Sequence, residues 1–352
     1  MAYTTIDDPS AYFQTKIWTG NDTSQSITND GNSNLKPDWI WAKKRSASDA
    51  HNLVDTSRGL TNYIFSNVNN GDTTDSSKVQ SMDANGFSVG ASNSWNDNNV
   101  TYVAWQWKAN GGTTTTNDAS ATSVGTIDSV YQANTTAGFS IVTYTGTGSA
   151  GTIAHGLGAT PKLYIIKNRE RSDTWRVATE MMGFGKQLLL NETDAVATDT
   201  STFNNTAPTS TVFSVGTRNA VNASSEGHVA YCFAEKKGYS KFGTYEANDS
   251  TDGPFIYTGF KPAWVILKCV DSTGNWFLFD NKRDNSNMVT QTIYGDLNAA
   301  ENTESNGLDF LSNGIKLRQS GSGGINHSST YIYMAFAENP FVSSKGVPTT
   351  AR

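Results

Sequence analysis

The sequence predicts an all-β protein made of three tandem homologous domains, each an antiparallel β-sandwich of jelly-roll type. Three observations support this fold class. The composition is dominated by Ser, Thr, Asn and Gly, with only 16% charged and 11% aromatic residues in 352. Apolar residues alternate with polar ones or form short runs, which is the pattern of strands. One short phrase also occurs three times, which indicates repeated units.

The recurring phrase begins at a proline. "KPDWIWAK", "TPKLYIIK" and "KPAWVILK" contain Pro37, Pro161 and Pro262, and each ends on a lysine six residues after its proline. Because proline has no backbone N–H to donate, we expect each one at the first residue of a strand. The apolar run that follows predicts a central strand buried on both faces, and we expect the terminal lysine to return the chain to solvent.

Further matches follow each proline at fixed distances. They stand fourteen, eighteen and twenty-one residues later: His51, Trp175 and Trp276; Asp55, Thr179 and Asp280; Arg58, Met182 and Arg283. The tryptophans are predicted to lie in the core. The acid–base pairs of the first and third copies are predicted to tie a turn by a local salt bridge; the alternative is a catalytic pair kept in two of three copies.

The repeat, about 95–100 residues long, sets the predicted organisation of the chain. A unit of this size can hold its own core, so each copy is predicted to be a domain. Almost no sequence separates the second copy from the third, and we expect these two to pack closely. The predicted segments are an N-terminal arm at 1–11, repeats at 12–109, 138–236 and 237–341, a Gly/Thr/Ser/Asn-rich linker at 110–137 and a C-terminal tail at 342–352.

Charge and hydropathy exclude several classes of protein. The net charge of −6 argues against a nucleic-acid partner, which would require a basic face. The N-terminus lacks the features of a signal peptide, and the apolar runs are too short for membrane insertion. Cys232 and Cys269 are too few for a disulfide framework and lie in apolar runs, so we expect buried free thiols.

A search for catalytic and binding motifs predicts a protein that is not an enzyme and has no cofactor and no bound metal. The four histidines lack metal-binding spacing, and no nucleophile elbow or phosphate-binding loop occurs. A glycan-degrading enzyme would need two carboxylates about 5–10 Å apart in a cleft, and the sequence offers no clear pair. Trp95 stands alone in the polar stretch "SNSWNDNN" and is the candidate contact surface, either to a glycan or to another subunit.

Several stretches carry a family resemblance. "HGLGATPKLYIIKNR", "GPFIYTGFKPAWVILK", "DFLSNGIKLR", "YIYMAFAENPF" and the opening "MAYTTIDDPSAYFQTK" resemble the repeated module of virion structural proteins of marine bacteriophages, especially cyanophages and related short-tailed phages. The resemblance covers nearly the whole chain except 110–137. It implies a structural protein made in the host cytoplasm and displayed on the virion surface as a tail fibre or appendage for host adhesion.

The resemblance also implies the partners. These are other virion proteins of the tail or capsid, further copies of the chain in a homo-oligomer, and, as a further candidate, a host cell-surface glycan. Two alternative functions stay open. One is a capsid-decoration protein of knob or horn type, and the other is a soluble carbohydrate-binding protein.

Overall fold

Antiparallel β-sheets carry nearly all the regular structure of the computed structural model, which describes residues 2–321 and 324–349. The predicted all-β class is therefore confirmed. The α-helices of the described residues are four-residue turns, and none is long and apolar enough to cross a bilayer. Three groups of strands follow one another along the chain.

The first strand group contains two sheets and a small hairpin. Its main sheet has the order β1-β9-β3-β4, its second sheet the order β2-β8-β7, and β5 pairs with β6. A 3₁₀ turn precedes β1. The elements are the 3₁₀ turn Pro9–Ala11, β1 Phe13–Thr19, β2 Gln25–Thr28, β3 Trp39–Lys44, β4 Asn52–Asp55, β5 Asn62–Tyr63, β6 Thr73–Thr74, β7 Val79–Asp83, β8 Gly86–Val89, α1 Asn93–Asn96 and β9 Thr101–Trp107.

The second strand group has one long sheet and one two-stranded sheet. The long sheet has the order β10-β11-β12-β19-β14-β15-β16-β17, and β13 pairs with β18. The elements are β10 Thr115–Asn117, α2 Ala119–Thr122, β11 Ser129–Asn134, β12 Phe139–Thr145, β13 Gly151–Ala154, β14 Leu163–Asn168, β15 Arg176–Thr179, β16 Lys186–Leu189, β17 Ala197–Thr198, α3 Thr200–Phe203, β18 Val212–Val215, α4 Asn219–Asn222 and β19 Gly227–Phe233.

The third strand group is one continuous ladder. Its order is β20-β27-β22-β23-β24-β25-β26-β21. The strands are β20 Ser240–Glu246, β21 Phe255–Tyr257, β22 Phe260–Cys269, β23 Trp276–Asp280, β24 Val289–Tyr294, β25 Asn302–Leu311, β26 Gly314–Leu317 and β27 Thr330–Pro340.

One strand order recurs in all three groups. The corresponding runs are β1-β9-β3-β4, β12-β19-β14-β15 and β20-β27-β22-β23. In each run the strand that opens the repeat lies beside the strand that closes it. The strand of the recurring phrase comes next, followed by the strand after it in the chain. The pairs β2-β8, β13-β18 and β21-β26 also correspond. The ladders start with Phe13 opposite Trp107, Phe139 opposite Phe233 and Ser240 opposite Phe336, so residues of the three groups can be matched by ladder position.

An interior strand accompanies each repeated proline, as predicted, but no proline is the first residue of its strand, so that part of the prediction is wrong. Pro37 and Pro161 stand two residues before β3 and β14, whose six residues are all buried. Pro262 differs, because it is the third residue of β22 and lies at a shift in the register with β27. The register skips Ala263 and Glu338 on either side of the pair of Pro262 with Ala337, so the ladder is irregular where the N–H donor is missing.

The interior strands are buried on both faces because each separates two cores. Trp39 and Trp41 of β3 belong to a central cluster, whereas Ile40 and Ala42 point to the other side, into a cluster formed with β2 and β8. The second and third groups have corresponding clusters of their own. Side chains of all three groups contribute to the central cluster, so the three main sheets share one core.

Three aromatic side chains meet inside the shared core. Trp107, Phe233 and Phe336 occupy the same ladder position in β9, β19 and β27. Their ring centroids are separated by 6.5 Å, 5.6 Å and 6.1 Å in the three pairs. The expectation that the second and third copies pack closely holds, and the first copy packs against both of them.

The three groups also bind one another in a closed ring. We call the contact region between two groups a seam, and name the three regions seam 1–2, seam 2–3 and seam 3–1. At matched positions, Trp175 Nε1 donates to Phe65 O at 2.8 Å, Trp276 Nε1 to Leu189 O at 2.9 Å, and His51 Nε2 lies 2.9 Å from Tyr294 O. His51 Nδ1 accepts from the Trp41 indole, which leaves Nε2 as the donor.

The lysines that end the recurring phrase are buried, so the prediction that they return the chain to solvent is wrong. Lys167 Nζ donates to Asn69 O at 3.1 Å across seam 1–2, and Lys268 Nζ donates to Thr193 O at 2.8 Å across seam 2–3. Lys43 Nζ donates to Lys44 O at 2.7 Å. Burial lowers the pKa of each lysine to about 8. Carbonyl groups of the seam loops need donors, and these ammonium groups supply them.

Residues 110–137 are not a linker, contrary to the prediction. They contain β10, α2 and β11, and all six residues of β11 pair with β12. Asp118 caps α2 by accepting from the backbone N–H groups of Ser120 and Ala121. The segment therefore covers the edge of the second main sheet, which would otherwise present unpaired backbone groups.

The predicted N-terminal arm and C-terminal tail are packed together. Ile6 belongs to the central cluster and is 2% exposed. Asp7 Oδ1 accepts a hydrogen bond from the backbone N–H of Ser344 at 2.6 Å. Met1 of the arm and residues 350–352 of the tail lie outside the described residues.

Four predicted core residues are confirmed. Cys232 and Cys269 are buried free thiols. Trp175 and Trp276 are 0% and 3% exposed and lie in the central cluster.

Candidate functional site

Trp95 cannot form the predicted contact surface, because its side chain is fully buried. Its ring lies 6.4 Å from Trp18 and 6.0 Å from Phe87, inside the cluster of the first group. The Trp95 carbonyl accepts a hydrogen bond from Trp18 Nε1 at 3.1 Å. The prediction is therefore wrong.

The reason is visible in the other two groups. Val221 and Ile325 occupy the matching position, are fully buried, and accept hydrogen bonds from tyrosine hydroxyls through their carbonyls. In each group a buried asparagine follows and its amide bridges two loops: Asn96, Asn222 and Asn326. Comparison of "SWN", "AVN" and "GIN" would have identified a core position, because two of the three residues are aliphatic.

An exposed aromatic pair lies instead on β21. Phe255 and Tyr257 are 46% and 54% exposed, on either side of the buried Ile256. Ile27 and Ile153 match Ile256 in the ladders of the other groups, and both are buried. The residues matching the aromatic pair are small: Ser26 and Thr28 in the first group, Thr152 and Ala154 in the second. The fold thus needs the isoleucine, whereas the aromatic pair is specific to the third group.

Two side chains from other parts of the chain extend this surface. The Tyr3 hydroxyl donates to Gly259 O at 2.6 Å and lies 3.4 Å from the Tyr257 hydroxyl. The Lys237 ammonium lies 4.5 Å from the centre of the Tyr3 ring. Burial and the neighbouring phenol raise the pKa of Tyr3 above its ordinary value, so the hydroxyl stays neutral. We call Tyr3, Lys237, Phe255 and Tyr257 the aromatic patch.

The aromatic patch combines the groups that bind an amphipathic ligand. Exposed ring faces pack on apolar surface, such as the C–H face of a sugar ring, while the hydroxyl and ammonium groups donate hydrogen bonds. An added Cβ at Gly314 would come within 2.7 Å of the Phe255 ring, so this ring lies directly over the neighbouring strand. The sequence analysis did not identify Phe255 and Tyr257. They could have been found because "PFIYTG" has large aromatic residues where the other two copies have small ones.

The acid–base pairs are salt bridges, as predicted. Arg58 Nε lies 2.6 Å from Asp55 Oδ2, and Arg283 Nε lies 2.6 Å from Asp280 Oδ2, with all four side chains 0% exposed. Buried side chains cannot reach a substrate, so the alternative of a catalytic pair is not supported. Within residues 2–321 and 324–349, no three His, Cys, Asp or Glu side chains are grouped to hold a metal ion.

The sequence did not reveal that these pairs join strand groups. The Tyr231 hydroxyl of the second group donates to Asp55 Oδ2 at 2.8 Å. Trp105 Nε1 of the first group donates to Asp280 Oδ2 at 2.9 Å. The role of each pair is thus to close a seam.

Comparison with known proteins gives one family. Residues 8–340 match the model of a domain of unknown function, DUF7483. No curated protein and no solved structure matches the chain. Because the match includes all three strand groups and residues 110–137, the unit defined by the family is the whole ring and not a single repeat.

Proposed function

This chain belongs to the DUF7483 family, and we propose that it is a non-enzymatic structural protein of a bacteriophage virion, displayed on the particle surface as a tail fibre or appendage that contacts the host. The resemblance of its repeated motifs to marine-phage virion proteins supports this role. The observation that carries the contact role is the aromatic patch, whose Phe255 and Tyr257 are exposed and have small residues at the matching positions of the other two groups.

We further propose that the groups are tandem homologous β-sandwich modules, at 12–109, 138–236 and 237–341. The recurring strand order and the matched ladder positions support this proposal. The shared core makes the modules one rigid block, which suits a particle component that must resist unfolding and proteolysis. A virion protein of this kind would assemble with tail or capsid proteins and with further copies of itself.

One observation favours the capsid-decoration alternative. Three similar groups arranged in a ring present similar faces in three directions, which matches a local threefold position on a capsid. Immunogold labelling of purified particles distinguishes these sites: we expect label at the tail, whereas label over the capsid establishes decoration. Absence of the chain from particles would overturn the virion proposal and leave a soluble carbohydrate-binding protein.

The contact role is tested separately with the variant Phe255→Thr/Tyr257→Ala, which copies the second group. We expect binding of the purified chain to host surface polysaccharide to fall at least about tenfold, since the ring faces are removed. Unfolding free energy should change by less than about 0.5 kcal/mol, because both side chains are exposed. The control Ile17→Ser removes an exposed apolar side chain from β1 and should leave binding unchanged. Equal binding by both variants contradicts the role of the patch.

A further inference from the structure

A polar cleft of about 540 Å³ opens at seam 3–1, between the edge of β1 and the third group. Its walls include Phe13, Gln14 and Thr15 of β1, together with Lys261, Asn281 and Lys282. β1 is an edge strand, because β9 is its only ladder partner within residues 2–321 and 324–349. The cleft therefore runs along an unpaired strand edge of the first main sheet.

The corresponding place at seam 1–2 is filled by β11. Gln132 of β11 pairs with Ile141 of β12, and Ile141 matches Thr15 of β1. The Gln132 amide donates to Thr56 Oγ1 at 2.9 Å and to Ser57 Oγ at 2.7 Å. Its Oε1 accepts from the backbone N–H of Gly112 at 2.9 Å. Counting from the prolines, Asn281 and Lys282 of the cleft stand where Thr56 and Ser57 stand at seam 1–2.

The edge of β1 carries free hydrogen-bonding groups at this place. Phe242 of β20 also matches Thr15, and its backbone N–H donates outward to Glu235 Oε2 at 3.3 Å, away from β27. The same ladder position directs the N–H and C=O of Thr15 into the cleft. Thr15 Oγ1 is buried, in a residue only 4% exposed, and has no hydrogen-bond partner among the described residues.

The charges of the cleft specify the ligand further. Asp30 binds both Lys16 at 3.1 Å and Lys282 at 2.9 Å, and Lys261 pairs with Glu338 at 2.6 Å. Of these residues, Asp30, Glu338, Lys261 and Lys282 line the cleft and Lys16 does not, so the charges of its walls balance. Lys282 occupies the position of Ser57. The serine hydroxyl can donate or accept a hydrogen bond, whereas the lysine ammonium can only donate. A ligand side chain that contacts Lys282 is therefore favoured when it offers an acceptor.

We propose that this cleft binds an extended segment of another polypeptide, which adds to β1 as an antiparallel strand and places a glutamate side chain on Asn281 and Lys282. The backbone groups of Thr15 supply strand pairing, and the Lys282 ammonium, which can only donate, selects the carboxylate together with the Asn281 amide. β11 is the model for the ligand, because the chain itself fills the equivalent place with this strand. The inference does not depend on the virion role.

The test uses fluorescently labelled peptides spanning residues 126–135, "TIDSVYQANT", titrated by anisotropy against the full chain. Three versions carry Gln, Glu or Lys at the position of Gln132. We expect the Glu peptide to bind at least several-fold more tightly than the Gln peptide, and more weakly as salt is raised, while the Lys peptide fails to bind. Equal affinities for the three peptides, or no binding by any at millimolar concentration, overturn the proposal.

Two protein variants locate the binding site. Thr15→Pro removes the outward N–H without removing a bond to β9, and should abolish binding of the Glu peptide. Lys282→Glu should reverse the preference, so that the Lys peptide binds better than the Glu peptide; this variant decides the question if Thr15→Pro does not fold. The control Lys186→Glu changes an exposed lysine of β16 and should leave all affinities unchanged. Undiminished binding of the Glu peptide to Lys282→Glu would place the peptide elsewhere and overturn the proposal.

Discussion

Two of the three seams are closed by buried ion pairs, and the third has uncharged side chains, four of five of them apolar, at the same positions. In seams 1–2 and 3–1 an aspartate receives a hydrogen bond from the last strand of the next group and pairs with an arginine. The matched sets are Asp55, Arg58, Asp72, Arg169 and Tyr231 in seam 1–2; Asp280, Arg283, Glu301, Arg45 and Trp105 in seam 3–1; and Thr179, Met182, Val196, Val270 and Met334 in seam 2–3.

The polar sets have nearly the same geometry. In seam 1–2, Asp72 bridges two arginines, with Arg58 Nη1 at 3.0 Å and Arg169 Nε at 2.8 Å. In seam 3–1, Glu301 bridges Arg283 Nη1 at 3.0 Å and Arg45 Nη2 at 2.8 Å. Each arginine that lies deepest in its seam is 0% exposed, so each network is largely removed from water.

The backbone is the same in all three seams although the side chains differ. Asp72 N donates to Arg169 O at 2.6 Å, Glu301 N donates to Arg45 O at 2.7 Å, and Val196 N donates to Val270 O at 2.9 Å. Val270 and Met334 belong to the central cluster, and Met182 and Val196 pack against it. The side chains of seam 2–3 therefore differ from those of the two polar seams as a set, while the backbone contact is kept. A complete ionic network and a complete apolar one are both acceptable, whereas a partial network leaves a buried charge unpaired.

The largest effect is expected from breaking one polar seam at a single residue. Asp280→Ala leaves the buried Arg283 and the Trp105 indole without their acceptor, and should lower the free energy of unfolding by about 3–5 kcal/mol. The matched control Thr179→Ala, at the same position of seam 2–3, should cost less than about 1 kcal/mol. Urea unfolding of both variants measures the difference; equal losses would contradict the comparison.

A smaller effect is expected from replacing the whole set. Seam 3–1 receives the residues of seam 2–3 in the variant Asp280→Thr/Arg283→Met/Glu301→Val/Arg45→Val/Trp105→Met. Because every member is replaced, no buried charge is left unpaired. We expect the free energy of unfolding, measured in urea, to equal that of the native chain or to exceed it by up to about 1–4 kcal/mol. If the loss equals the sum of the losses of the five single variants, the seams are not interchangeable.

The three groups should contribute equally to the pH dependence of the free energy of unfolding, because each has a buried lysine at the matched position: Lys43, Lys167 and Lys268. The pKa of each lysine is lowered to about 8 by burial, whereas the ordinary value is 10.5. Between these values the unfolded chain binds more protons than the folded chain, so stability rises with pH. We expect the free energy of unfolding to rise by about 2 kcal/mol per lysine, and so by roughly 5 kcal/mol in all, between pH 7.5 and 9.5 in urea unfolding.

Each single Lys→Met variant should remove about a third of that slope, whether its seam is polar or apolar. The window ends near pH 9.5, since buried tyrosines such as Tyr231, with a pKa raised by burial, reduce stability as the pH rises further. A slope unchanged in all three variants would show that these lysines are not the source.

The sequence predicts the parts of the fold that depend on local pattern. The alternation of apolar residues predicts the strands, and the proline phrase predicts the interior strand of each group. The matched offsets also predict the salt bridges of Asp55 and Asp280. The exchange of Asp and Arg for Thr179 and Met182 was visible as well, but its meaning required the partner strand of the next group.

What the sequence missed depends on long-range packing. Lys43 ends an apolar run, and a local pattern cannot show that loops of the seams bury it. Trp95 stands among polar residues that form its loop, while its ring enters the core beside Trp18 and Phe87. Residues 110–137 have a linker-like composition, yet the edge of β12 orders them as a strand. The shared core itself needs three sheets that are far apart along the chain.

Three repeated strand groups form a single unit around one core. Differential scanning calorimetry of the full chain tests it most directly. We predict one transition, with the van't Hoff enthalpy equal to the calorimetric enthalpy, because removal of any group would expose the aromatic faces of the other two. Two or three separable transitions, each with the enthalpy of one group, would show that the groups unfold independently and do not form a single unit.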